Sequence, residues 1–181
     1  MTNLDRRTLI AAIGGTILAP AQTIAGTREM PISPEWTFVA DTVMGGVSQG
    51  QVTFDGDAAR LTGRVSLENN GGFIQMATSL TKGGAVLDAS EFAGIAMDLR
   101  GNGEEYELRV RTNDLTRPWQ AYRAPFQADG AWRTVQLPFR DLLQSRTDVP
   151  YDPAKMRRLG IVAIGRVFDA DVSVRNLRLY A

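Results

Sequence analysis

The chain has 181 residues, a length that suggests one domain with a core large enough to hold without covalent bridges. Its 20 Lys+Arg and 20 Asp+Glu balance to a net charge of +0, which leaves no electrostatic footprint for nucleic acid or an anionic membrane. The absence of cysteine and histidine excludes disulfides, thiol catalysis, iron–sulfur clusters, thiolate zinc sites and the Ser-His-Asp triad. Any catalysis would rest on carboxylates, Lys, Tyr, Ser or Arg. A hard-cation site built from oxygen ligands stays open, and the sequence calls for no cofactor and no metal.

Asp5-Arg6-Arg7-Thr8-Leu9-Ile10 opens a run of apolar and small residues from Thr8 to Ala19, followed by Pro20 and Ala21. Paired arginines, a short apolar stretch and a small-x-small end form an export signal, and the arginines followed by Leu9-Ile10 resemble the twin-arginine type. The run is shorter than the roughly 20 residues that a spanning helix takes. Residues 1–25 are therefore expected to be a leader, 26–35 a linker and 36–181 the domain. The expected location is the periplasm, with no membrane span once the leader is removed.

Trp36-Thr37-Phe38-Val39-Ala40-Asp41 alternates bulky and small residues and predicts the first strand. Thr42 to Gly50 is glycine-rich and irregular; it lacks the Gly-Lys-Ser/Thr ending of a phosphate loop. Gln51–Phe54 and Ala58–Leu67 are expected strands around an Asp55-Gly56-Asp57 turn. The stretch Ser66-Leu67-Glu68-Asn69-Asn70-Gly71-Gly72-Phe73 then admits two readings. It is a turn between strands, since Asn and Gly tolerate positive φ. It is equally a carboxylate beside two amides on a tight backbone, able to grip a polar ligand or a partner loop.

Ile95, Met97 and Leu99 alternate with Ala96, Asp98 and Arg100; after Gly101-Asn102-Gly103, Tyr106, Leu108 and Val110 alternate with charged residues. The period of two predicts a hairpin with one apolar and one charged face, packed on a second sheet. Trp119–Phe126 and Ala131–Phe139 repeat the pattern around Ala128-Asp129-Gly130, with Pro138 near a strand end. Arg140–Arg146 and Asp152–Arg158 are expected to make short helical turns. Leu159–Ile164 predicts a buried central strand. In the last strand Val172 and Val174 share one parity and Leu177 and Leu179 the other, so a bulge near Arg175-Asn176 is expected. About nine strands with almost no helix give an all-β, antiparallel β-sandwich of the jelly-roll type.

These pieces carry a resemblance. Trp36, Asp41-Thr42-Val43-Met44-Gly45-Gly46-Val47-Ser48, Ser66 to Phe73, Gly94, Asp98 to Gly103, Tyr106, Arg109, Arg111-Thr112, Trp132, Val135-Leu137-Pro138-Phe139 and Leu159-Gly160-Ile161 are similar to the complex I intermediate-associated protein 30 family. The resemblance runs from about Trp36 to the end. It implies a galactose-binding-domain-like jelly roll and a non-enzymatic role. The mitochondrial members are assembly factors for NADH:ubiquinone oxidoreductase, so a protein partner, such as a respiratory-complex subunit, is implied.

Candidate binding residues are Asp41, Ser48, Glu68, Asn69, Asn70, Arg100, Arg109 and Arg111, polar groups near strand ends and loops. The arginines suit bidentate contact with a carboxylate or phosphate; they suit equally a solvated strand face paired with Glu105, Glu107 or Asp98. Asp41 and Ser48 fit local side-chain-to-backbone bonding as well. Trp36, Trp119, Trp132 and Tyr122 fit sugar stacking or the core. Two functions follow: a binding or assembly module holding a protein or small polar ligand, or a carbohydrate-binding or carbohydrate-active sandwich. A hydrolase would place Asp41 and Glu68 about 5–10 Å apart across a cleft.

Overall fold

The computed structural model describes residues 28–181. The expected leader lies outside the described residues. Twelve strands are described: β1 (Glu29–Pro31), β2 (Thr37–Ala40), β3 (Gln49–Asp55), β4 (Ala58–Val65), β5 (Phe73–Ser79), β6 (Gly94–Gly101), β7 (Glu104–Thr112), β8 (Ala121–Ala128), β9 (Arg133–Pro138), β10 (Leu143–Ser145), β11 (Met156–Ile164) and β12 (Phe168–Tyr180). They form two antiparallel sheets. In the first the order is β3-β4-β12-β6-β9, with β1 also on β12; in the second it is β10-β8-β7-β11-β5-β2. The two sheets make the expected β-sandwich, and the described residues outside strands hold only 3₁₀ turns as helical structure.

Alternation places one face of each strand in the shared core. Leu61, Val65, Ile95, Met97 and Leu99 of the first sheet meet Ile74, Met76, Leu108, Val110 and Ile161 of the second, all fully buried. β11 is the central strand that its apolar run implies, paired with β5 on one side and β7 on the other. The parity switch in β12 is resolved by a register shift between Arg175 and Arg178, with Asn176 at φ +51°. Val172, Val174, Leu177 and Leu179 thereby all reach the core. Pro138 ends β9, an edge strand of its sheet, where its missing N–H leaves no ladder bond unmade.

The expected hairpin between Ile95–Arg100 and Tyr106–Arg111 is not formed. β6 belongs to the first sheet and β7 to the second, and Gly101-Asn102-Gly103 carries the chain across the sandwich. The Trp119–Phe126 and Ala131–Phe139 segments likewise become β8 and β9 on opposite sheets. Alternation fixes which side chains face the core, and a hairpin and a sheet-to-sheet arch satisfy it equally. The Arg140–Arg146 turn shortens to Phe139–Asp141 and continues as β10. The next turn is only Pro153–Lys155, because Met156 already pairs with Thr112 on β7. β1 falls inside the expected linker, held by backbone pairing to β12.

Tyr106 pins the arch between β6 and β7. Its hydroxyl donates to Asn102 Oδ1 (2.7 Å) and accepts from the Asp171 N–H of the other sheet (2.9 Å). Burial pushes the phenol up to about 12, so it stays a neutral donor. Tyr106→Phe leaves the Asp171 N–H and the Asn102 carbonyl unmatched. The expected cost is about 1–3 kcal/mol in urea unfolding, with the denaturant slope unchanged.

Candidate functional site

β4 ends on the first sheet and β5 begins on the second, so residues 66–72 form another arch. Beside it runs the turn Asp41–Met44, closed by Gly45 N–H to the Thr42 carbonyl (3.2 Å) and Gly46 N–H to the Asp41 carbonyl (3.0 Å). Asp41 joins the two. Its side chain is fully buried. Oδ1 accepts from the Ser48 N–H (3.0 Å); Oδ2 accepts from the Ser48 hydroxyl and from the N–H groups of Gly72 (2.6 Å) and Phe73 (3.2 Å). The Ser48 oxygen in turn accepts from the Ser66 N–H (2.9 Å). Burial alone would raise the Asp41 pKa, but these four donors hold it below the ordinary value of 3.8.

One glycine of each paired motif is explained by this carboxylate, and the other, Gly45 or Gly72, by its positive φ. A Cβ on Gly46 would stand 2.4 Å from the Asp41 carboxyl, and one on Gly71 would stand 2.5 Å from its Oδ2. Asn69 and Asn70 sit at φ +55° and +57°, consecutive left-handed residues for which asparagine is tolerated. The arch is therefore a turn, and also a platform. Glu68, Asn69 and Asn70 point their side chains to solvent with no hydrogen-bond partner for them among the described residues.

The candidate residues do not form one cluster. Asp41 and Ser48 are sealed beneath the loops, exposed by no more than 1%, so they act on backbone and do not face a ligand. This burial removes Asp41 as the partner of Glu68 in a solvent-facing carboxylate pair. Arg100 lies on the first sheet over Trp132 (5.0 Å), which Arg175 also covers (4.3 Å). Arg109 and Arg123 both bind Glu107 on the outer face of the second sheet, each at 2.9 Å. Arg111 donates to the carbonyls of Pro118 (2.9 Å), Arg117 (2.9 Å) and Leu115 (3.3 Å), which fixes the loop ahead of β8. Arg109 pairs with Gly160, four residues along β11 from the Ile164–Phe73 pair that borders the arch, a separation of roughly 13 Å. The amides and the arginines thus belong to different surfaces. Trp36 is core, Tyr122 is buried, and Trp119 is half exposed.

The arch also carries apolar groups. Val47, Leu67 and Val167 line one open groove of about 560 Å³ with Arg64, Ser66 and Glu68. Val43 and Met44, on the preceding turn, extend the exposed apolar run. These are five of the nine large hydrophobics exposed among the described residues, so they form a concentration, not the ordinary scatter of surface side chains. The available signal was valine and methionine inside a glycine-rich irregular loop, where no core alternation requires them.

Among the described residues no helix is long and apolar enough to cross a membrane, and no group of three or more acidic residues gathers to hold a metal. Two antiparallel sheets packed face to face define a β-sandwich of galactose-binding-like fold. Solved structures place it near carbohydrate-binding modules. The Family 11 module of the cellulosomal cellulase Lic26A-Cel5E of Clostridium thermocellum shares 13% identity over 85% of this chain and 94% of that one, with a TM-score of 0.67. The Family 30 module of Cel9D-Cel44B from the same organism shares 16% identity over 83% and 92%, with a TM-score of 0.57. An agarase, AgWH50C, matches at 10% identity and a TM-score of 0.61, over 84% of this chain but 24% of its own length. Among curated protein sequences none matches. A family model decides the assignment: the chain belongs to the Complex I intermediate-associated protein 30 (CIA30) family, matched over residues 27–173.

Asp41→Asn turns one carboxylate oxygen into a donor that confronts an N–H. The expected loss is about 3 kcal/mol at neutral pH. Because the folded carboxyl titrates below its unfolded value, its stabilisation is complete above that value and is lost as pH falls through the folded one. Unfolding curves of the wild type should therefore weaken more steeply below about pH 4 than those of Asp41→Asn.

Proposed function

We propose that the protein is a non-enzymatic binding module of assembly-factor type, acting on a protein partner after export through the arch at residues 66–70 and the neighbouring 43–47 loop. One observation carries this reading. Exposed aliphatic side chains and unpartnered polar ones are displayed together on loops that a buried carboxylate holds in one conformation. Protein interfaces combine an apolar centre with a polar rim, and a preformed surface avoids the entropy of ordering loops on contact. The family membership supports an assembly role. The partner class follows from the aliphatic chemistry: valine, leucine and methionine pack on protein side chains, whereas sugar rings stack on aromatic faces.

A second reading rests on a separate observation. Trp119 is half exposed and adjoins Gln120, which lines an open groove of about 840 Å³ with residues 146–150. The neighbouring Family 11 module was solved with a β-1,3-1,4-mixed-linked tetrasaccharide. A carbohydrate ligand here would use the indole as its stacking face.

Val47→Ser, Leu67→Ser and Val167→Ser combined should abolish a specific crosslinked partner in pull-downs from periplasm and membranes. Stability should change by less than about 1 kcal/mol. Asn69→Gly with Asn70→Gly removes the amides without straining the left-handed backbone and should weaken the same capture. Capture unchanged by both variants, together with glycan-array binding lost in Trp119→Ala, would replace the protein reading by the carbohydrate one. Fusing the first thirty residues to a reporter that matures only when exported folded should place it in the periplasm; retention in the cytoplasm refutes the export step.

A further inference from the structure

On the outer face of the second sheet, Arg158 of β11 stands directly across from Arg111 of β7. Both point away from the core, since Leu159 and Val110 occupy it. Like charges placed opposite each other in neighbouring strands, about 4.8 Å apart, repel and destabilise the pair. Arg157, just before Arg158, sits at the β-bulge where β11 shifts register. Three guanidinium groups are thus gathered at one end of the face.

The acids that would normally answer them are occupied. Lys155 holds both Asp114 (3.1 Å) and Asp152 (3.3 Å). Glu107 is taken by Arg109 and Arg123. Glu105 lies six residues along β7 from Arg111, about 20 Å away. Among the described residues, Arg157 and Arg158 have no carboxylate within salt-bridge distance and no hydrogen-bond acceptor for their side chains. Arg111 cannot turn away, because three loop carbonyls fix it. Burial first, then the charges of Arg158 and Arg157, holds its pKa below the ordinary value.

We propose that Arg111 and Arg158, flanked by Arg157, form a binding site for an oxyanion, either free as a sulfate-type ion or carried as a carboxylate on an acidic chain. The free guanidinium of Arg158 can meet two oxygens of such a group at once, and Arg111, whose donors are largely spent on loop carbonyls, adds a fixed positive charge beside it. The site lies on a different face from the 66–70 arch and stands or falls independently of the reading given for that arch.

Thermal melts and calorimetric titrations at matched ionic strength distinguish the outcomes. The full chain is titrated with sodium sulfate and, separately, with a poly-glutamate peptide, against sodium chloride. Arg158→Gln should be no less stable than the wild type in chloride, since a repulsion is relieved. It should bind the effective anion at least tenfold more weakly. Arg157→Gln should weaken binding by a smaller factor. Arg60→Gln, on the first sheet and paired there with Asp171, should bind as the wild type does and corrects for the general stabilising effect of sulfate. Response to sulfate alone identifies a free tetrahedral ion, and response to both probes a carried carboxylate. Absence of saturable binding, or equal affinity in Arg158→Gln and the wild type, overturns the proposal.

Discussion

A carboxylate shut away from water keeps its charge only where donors replace the lost hydration. Asp41 is met by four donors, three backbone N–H groups and one hydroxyl, from two stretches of chain far apart in sequence: Ser48 beyond the first turn, and Gly72 with Phe73 at the start of β5. The consequences reach outward from that one group. Gly46 and Gly71 must lack side chains because the carboxyl occupies their Cβ positions. Ser48 must carry a hydroxyl because it relays the contact to the Ser66 N–H. The arch between the two sheets is fixed from beneath, and whatever stands on its upper surface is held still.

That arrangement reverses the usual relation between polarity and function. Two polar side chains of the first motif, Asp41 and Ser48, are interior scaffolding. The residues that meet solvent are apolar or carry amides or, at Glu68, a carboxylate, and they are positioned by groups they never display. Loops braced in this way can expose Val47 and Leu67 without collapsing onto them, because their backbone conformation is determined elsewhere. Hydrophobic groups on a slack loop would fold inward.

The strand pattern was legible because alternation reports burial directly. It gave the sandwich, the central position of β11 and the bulge at Arg175-Asn176, where two parities had to be reconciled within one strand. Pairing was less legible. Gly101-Asn102-Gly103 serves a hairpin or an arch, and the choice depends on which apolar face meets which, a tertiary matter. The two glycine-rich motifs were visible as special, but their common cause was not. Nothing in the spacing of Asp41 and Gly71 says that one side chain fills the space left by the other. β1 and β10, three residues each, carry too little pattern to stand out. Arg158 was likewise hidden, because its meaning depends on register with Arg111.

The separation of amides from arginines has a structural logic. The arch sits where chain crosses between sheets, at the end of the sandwich, and its shape is set by backbone geometry. The arginines sit on the flats of the two sheets, Arg100 on the first and Arg109 and Arg111 on the second, where cross-strand register sets their spacing. Arg109 and Arg123 share the one carboxylate of Glu107, and Arg100 is covered against Trp132. What remains is charge that strand register has concentrated and no neighbouring acid has cancelled. In a chain whose 20 basic and 20 acidic residues balance overall, such a local excess does not follow from composition. It follows from the fold, which sends the matching carboxylates to Lys155 and leaves the β7–β11 pair facing outward.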